Sequence, residues 1–233
     1  MRLFLCLIIC IQAFSVSSKE VDVNTILVKA DAIRNPSDSF FMEVRLENKG
    51  ESDESLFEVF TKGKDKTLIK TIMPTMNRGR NLLMLEENMW VYIPNLKRAV
   101  RVSLAQKLTG QAANGDISRM RWANDYEPKL IGQDNESWNL FLTAKKKGLT
   151  YDKIRIWVKK NSFQPIKAEY LTVNEKVLKT AQFYEYKQIA GGIRPTKILI
   201  ESALNKEETS LIEIKKMEVK DFPETNFQKD NLQ

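Results

Sequence analysis

The 233-residue chain contains no histidine. That absence removes Ser-His-Asp and Cys-His nucleophile systems and nearly every zinc or copper site, leaving carboxylate, lysine or tyrosine chemistry. The conspicuous carboxylates are adjacent pairs, Glu86-Glu87 and Glu207-Glu208. Neighbours on a strand point to opposite faces, so neither pair can flank a substrate. A glycosidase would need two inward acids roughly 5–9.5 Å apart, and nothing in this spacing supplies them. Ala190-Gly191-Gly192 lacks the strand–turn–helix setting of a phosphate loop. Lysine clusters at 145–147, 159–160 and 215–216 fall at hairpin ends or on alternating strands, where lysine solvates edges and blocks stray pairing. The residue types therefore predict a protein that is not an enzyme and has no cofactor and no metal site.

The side chains with something to offer are aromatic. In "NMWVYIPNLKRAVRVS", residues 88–103, the run 89–93 is apolar or aromatic on both faces, whereas a half-solvated antiparallel strand should alternate. Lys97, Arg98 and Arg101 follow it among valines. Phe40, Phe41, Phe57, Phe60, Trp138 and Phe141 also fall within strand-like runs. Ordinary core explains each of these alone. Together they need cover on two faces, and a curved sheet closing over an apolar cavity, or a large lid, would provide it. Trp90 and Tyr92 share one face; Met89, Val91 and Ile93 share the other. Period two does not say which set faces inward. We expect the aromatics on the concave side, because rigid rings suit a cavity wall and a tyrosine hydroxyl can stay near a polar headgroup.

The elements that must position these residues follow from periodicity. Val23, Ile26 or Leu27, Ala30 and Ile33 recur at helical spacing until Asn35-Pro36 ends the run. From Phe40 the period becomes two, with Phe40, Met42, Val44 and Leu46 on one face. Strands are expected over 56–61, 67–73, 82–85, 89–93 and 99–104. After an interruption they resume over 138–144, 153–159, 166–173, 177–186, 195–202 and 209–219. This makes an α+β protein, mainly β, with roughly eleven strands at the spacing of an antiparallel sheet or barrel. The interruption, "LTGQAANGDISRMRWANDYEPKLIG" at 108–132, reads as a loop with one short helix, and loops that long are often functional. It is expected to be a mobile lid or rim.

The N-terminus has a different character. Met1-Arg2, an apolar run over 3–11 and small residues before Lys19 make a secretory signal peptide. The run is too short to span a bilayer, which takes about 20 residues. Neither Cys6 nor Cys10 follows a small residue, so neither suits acylation. Cleavage after Ser18 leaves residues 19–233 as one domain without cysteine, long enough to hold a core without disulfides. The formal charge of +7 favours anionic partners such as lipid headgroups. Export argues against nucleic acid.

Several stretches together resemble a known family. "RGRNLLMLEENMWVYIPNLKRAVRVS", the 108–132 segment with Gly110, Gly115-Asp116 and Asp125-Tyr126, "GGIRPTKILIES" at 191–202 and "FPETNF" at 222–227 are similar to the outer-membrane lipoprotein-sorting proteins, in the broad LolA-like periplasmic group. The resemblance implies a strongly curved, incomplete antiparallel barrel with helices covering its concave side. It implies a periplasmic carrier of lipids or lipoprotein acyl chains, with an inner-membrane transporter and an outer-membrane acceptor as partners. An early-strand arginine that bonds to the lid in that family has no counterpart in "FEVFTKGKDK" at 57–66. The residues expected to touch acyl chains are Phe40, Met42, Phe57, Trp90, Tyr92, Trp122 and Trp138. The alternative is a non-catalytic accessory protein of an envelope export system or a surface adhesin, with a filled interior.

The export reading has a direct test. Intact mass of protein purified from the cell envelope should match cleavage near Ser17 or Ser18, and an acylated Cys10 at the N-terminus would overturn it.

Overall fold

Alternation of apolar and polar residues dominates the chain from Phe40 onward, and it resolves into one long antiparallel sheet. In a computed structural model, residues 22–36, 38–118 and 121–232 are described; the expected signal segment, 1–18, lies outside the described residues. The first meander comprises β1 (Phe40–Asn48), β2 (Ser55–Lys62), β3 (Lys66–Met73), β4 (Leu82–Leu85), β5 (Asn88–Ile93) and β6 (Arg98–Val102). A small ribbon, β7 (Lys107–Thr109) and β8 (Ala112–Ala113), precedes helix α2 (Asn114–Ser118). The second meander runs through β9 (Tyr126–Gln133), β10 (Ser137–Ala144), β11 (Lys153–Lys159), β12 (Pro165–Leu171), β13 (Val177–Ile189), β14 (Gly192–Ser202) and β15 (Thr209–Val219). The first and last strands, β1 and β15, pair and join both meanders into a 13-stranded sheet with β6 and β9 at its edges.

One core fills one face of this sheet. It includes Met89 on β5 and Leu140 on β10, which sit far apart in strand order, so the sheet must curl around it and that face is concave. Helix α1 (Val23–Arg34) inserts Ile26, Leu27 and Ala30 there. The Asp22 carboxylate caps the helix start by accepting from the Thr25 N–H at 3.0 Å. At its other end the Arg194 guanidinium of β14 donates to the carbonyls of Ala32 (2.8 Å) and Ile33 (3.0 Å), satisfying helix-terminal acceptors.

The chain must travel from edge β6 to edge β9, and it does so across the concave side. The 108–132 segment is therefore not a surface loop. Ala112, Ala113, Ile117 and Trp122 are buried in the core or beside it, and Tyr126–Gln133 is an edge strand. Glycine makes this close seating possible. Gly110 has φ +53°, and a Cβ there would lie 1.7 Å from Asn48 Oδ1; one on Gly115 would lie 1.8 Å from Thr150 Oγ1. The strand count exceeds the roughly eleven expected chiefly because β7, β8 and β9 fall in the stretch read as a loop: the ribbon strands are only three and two residues long, and Pro128 and Gly132 break the strand pattern of β9.

The convex face of the first meander is also covered. Phe222, Phe227 and Leu232, in the tail after β15, pack with Leu68 and Leu83 against Phe41, Phe60, Trp90 and Tyr92. Trp90 and Tyr92 thus point away from the concave core, while Met89 and Val91 point into it. This reverses the expected assignment. The pairing register requires it: Met89 lies opposite Met84 and Trp90 opposite Leu83, so the concave face of β4 continues through Met89.

Phe222 anchors the strap edge-on to Phe60, ring centroids 5.3 Å apart. Phe222→Ala should cost about 3 kcal/mol in urea denaturation, as large-to-small changes of buried rings do. A loss below ~0.5 kcal/mol, the size of a neutral surface change, would show that the tail contributes nothing to the fold.

Candidate functional site

The concave side is not uniformly filled. Alternate residues of β2, β4, β5 and β6 bring Phe57, Leu82, Val91 and Val102 side by side, and Leu108 of β7 faces them. They floor a cavity of about 310 Å³ that opens to solvent. This is at the lower end of the ~300–1,000 Å³ typical of small-ligand sites. Its lip is polar, with Glu51 and Asp53 on one side and Asn77, Arg80 and Lys107 among the others. Two bonds set the lip. Thr71 Oγ1 donates to the Arg80 carbonyl at 2.8 Å, and Asn48 Nδ2 donates to Thr109 Oγ1 at 3.0 Å.

Beside it, the half of the concavity under the second meander is closed by a buried polar knot. One oxygen of Asp116 accepts from the Tyr151 hydroxyl at 2.6 Å. The other accepts from the Ala113 N–H at 2.7 Å and the Lys179 ammonium at 2.9 Å. Lys179 also donates to the Gln111 carbonyl at 2.6 Å. The rings of Tyr151 and Tyr170 stack 4.1 Å apart. Burial, reinforced by the Asp116 charge, holds both phenols above the usual tyrosine range, so both stay protonated. Arg34 lies over the Trp122 ring at 3.7 Å with Asp31 at 3.5 Å. Burial depresses the Arg34 guanidinium and raises the Asp31 carboxyl, each partly offset by the other's charge. The void here is about 20 Å³, room for roughly one water and not for an acyl chain.

The structure sorts the seven expected contact residues. Phe57 lines the open cavity. Phe40 and Met42 are fully packed and border only a void of about 10 Å³. Trp122 belongs to the knot, edge-on to Phe183 at 5.9 Å. Trp138 packs on Phe163 at 5.4 Å under the second meander. Trp90 and Tyr92 face the C-terminal strap. Leu82, Val91, Val102 and Leu108 were not anticipated as lining residues. Val91 and Val102 were visible as alternating apolar positions, and only the choice of face concealed them. Nothing local marks Asp116, Lys179 or Arg34 as buried partners.

A buried pair is exposed as such by removing one member. Asp116→Ala leaves the Lys179 ammonium without its counter-charge and should cost about 3–5 kcal/mol. Asp116→Ala with Lys179→Met removes the stranded charge and should recover part of that loss in thermal or urea melts. If the double variant is as unstable as the single one, the loss comes from the Ala113 N–H and Gln111 carbonyl left unpaired rather than from the stranded charge; an Asp116→Ala protein as stable as the wild type would show that this network does not seat the crossing segment.

Comparisons with known proteins agree with this geometry. A family model described only as "Uncharacterized protein" matches residues 63–233. A solved structure described as a LolA superfamily protein from Nitrosomonas europaea is 36% identical, covering 90% of this chain and 99% of that one, with a TM-score of 0.84. A putative outer-membrane lipoprotein-sorting protein domain from Vibrio parahaemolyticus shares the fold at 18% identity, covering 90% and 97%, with a TM-score of 0.75. So does a DUF1329 family protein from Desulfovibrio piger, at 22% identity, 90% and 97% coverage and a TM-score of 0.76. No curated protein matches the chain.

Proposed function

The chain belongs to the LolA superfamily, and from that premise we propose that it is a periplasmic carrier that holds a lipid or lipoprotein acyl chain in the cavity between β2 and β6. The observation that carries this reading is the cavity itself. Phe57, Leu82, Val91, Val102 and Leu108 give it an apolar floor, polar side chains make up most of the rest of its lining, and it opens on the concave face of the sheet. Each methylene moved from water onto such a floor contributes about 0.8 kcal/mol, so binding needs no dedicated polar chemistry. The lip residues would stay hydrated around a headgroup or a peptide while the chain lies below. Release requires no bond to break, because the protein contributes only an apolar surface. This function is non-catalytic, and its partners are a membrane or transporter that donates the chain and an acceptor that takes it. The structure from Vibrio parahaemolyticus, described as a putative outer-membrane lipoprotein-sorting protein domain, shares the fold.

The alternative of an interaction module with a filled interior is less well supported, because Phe57, Leu82, Val91 and Val102 leave their shared space unfilled.

Filling the cavity tests the proposal. Val91 is only half-buried, so Val91→Trp adds volume into open space rather than into packed core. Displacing even two methylenes of ligand should weaken a fluorescent fatty acid about tenfold, with little change in melting temperature. Unchanged affinity in a folded Val91→Trp protein would place any lipid site elsewhere.

A further inference from the structure

The basic run that follows β5 is not used by the cavity floor. Pro94–Leu96 forms a 3-10 turn after β5, and Thr75–Asn77 forms another after β3. The two turns are neighbours: the Tyr92 N–H donates to the Asn81 carbonyl at 2.8 Å, and a Cβ on Gly79 would touch the Pro94 ring at 3.5 Å. They lie at the same end of the first meander, where Pro74, Asn77 and Arg80 form part of the cavity lip.

This end displays an unusual combination. Met76 is 84% exposed, Leu96 54% and Met73 40%. Around them Arg78, Arg80, Lys97, Arg98 and Lys107 are all exposed, and among the described residues none is in an ion pair. Their polar contacts are weak and neutral: Arg78 Nε donates to the Ile72 carbonyl at 3.3 Å and Arg80 to Asn77 Oδ1 at 3.5 Å. Elsewhere surface lysines are commonly paired, as Lys66 is with Glu224 and Lys153 with Glu175. The acids of the mouth, Glu51 and Asp53, come from the loop between β1 and β2. The mouth therefore has a basic lip carrying protruding apolar side chains and a separate acidic lip.

We propose that this lip is a docking surface for an anionic lipid bilayer, with Met76 and Leu96 entering the headgroup layer and the five cations lying on it. A bilayer suits the surface better than a protein does. A protein interface needs some 20–30 residues a side around an apolar centre. An interfacial membrane contact instead adds up from single apolar side chains and single cations. The acidic loop fixes orientation, since it is repelled where the basic lip is attracted. Docked this way, the protein presents its cavity mouth to the bilayer, and an acyl chain can pass between them without crossing water. The surface exists whether or not the cavity holds lipid, so the two readings fail separately.

The test is partitioning of the purified protein onto phosphatidylcholine vesicles with and without phosphatidylglycerol, by flotation. Each cation near such a surface is worth about 1 kcal/mol, or roughly fivefold in partitioning. R78Q/K97Q/R98Q should therefore lose about a hundredfold on mixed vesicles. K147Q/K159Q/K176Q, the same charge change at exposed turns and strand ends of the second meander, should lose little, because salt screens beyond about 8 Å. M76S/L96S should lose several-fold. Melting temperatures confirm that each variant is folded, and fluorescent fatty-acid affinity should stay at the wild-type value in all three. Equal partitioning onto neutral and anionic vesicles, equal losses in patch and control triples, or no loss in M76S/L96S would overturn the proposal.

Discussion

Asp116 and the three donors around it are the constraint on which the rest depends. The sheet is two meanders closed onto each other through β1 and β15, and this leaves the chain to cross from one outer edge to the other. A crossing over the concave face must bury backbone, and buried backbone needs partners. Asp116 provides one by taking the Ala113 N–H, and Lys179 provides another by donating to the Gln111 carbonyl. The ion pair between them adds little against an apolar substitute. Its effect is positional: it fixes where the crossing segment lies.

That position decides what remains open. Trp122, Tyr151, Tyr170 and Phe183 fill the second meander's half of the concavity down to a water-sized void. The ribbon of β7 and β8 reaches only partway over the first half, and the space under β2 to β6 stays unfilled. A cavity is costly to keep, at roughly 24 cal/mol per Å³ where it is dry. Being open and rimmed with polar groups, this one is wetted and avoids most of that cost.

The first meander carries apolar residues on both faces for two different reasons. Its concave side floors the cavity, and its convex side holds the C-terminal strap through Phe222, Phe227 and Leu232. Lys62 and Lys66 fasten the strap by ion pairs to Asp221 and Glu224. Trp90 and Tyr92 thus pack under the strap, whereas Leu82, Val91 and Val102 join Phe57 on the cavity floor.

Much of this was legible in the sequence because period two is a local property. The strands from Phe40–Asn48 to Thr209–Val219 other than β7, β8 and β9, the helix over Val23–Arg34 and the excess of apolar faces follow from residue spacing alone. The absence of histidine likewise excludes whole classes of chemistry without any structure. Which face of a strand looks inward is not local. It depends on the register between neighbours, and pairing Met89 with Met84 sent Trp90 and Tyr92 outward, against the expectation from their size. The burial of Asp116, Lys179 and Arg34 was equally invisible, since a charged residue reads as surface until a partner far along the chain is brought beside it, Lys179 beside Asp116 and the Trp122 ring beside Arg34. Even the glycines of the crossing segment looked like marks of mobility. Tertiary packing made them points of closest contact, because only a residue without a Cβ fits against Asn48 and Thr150.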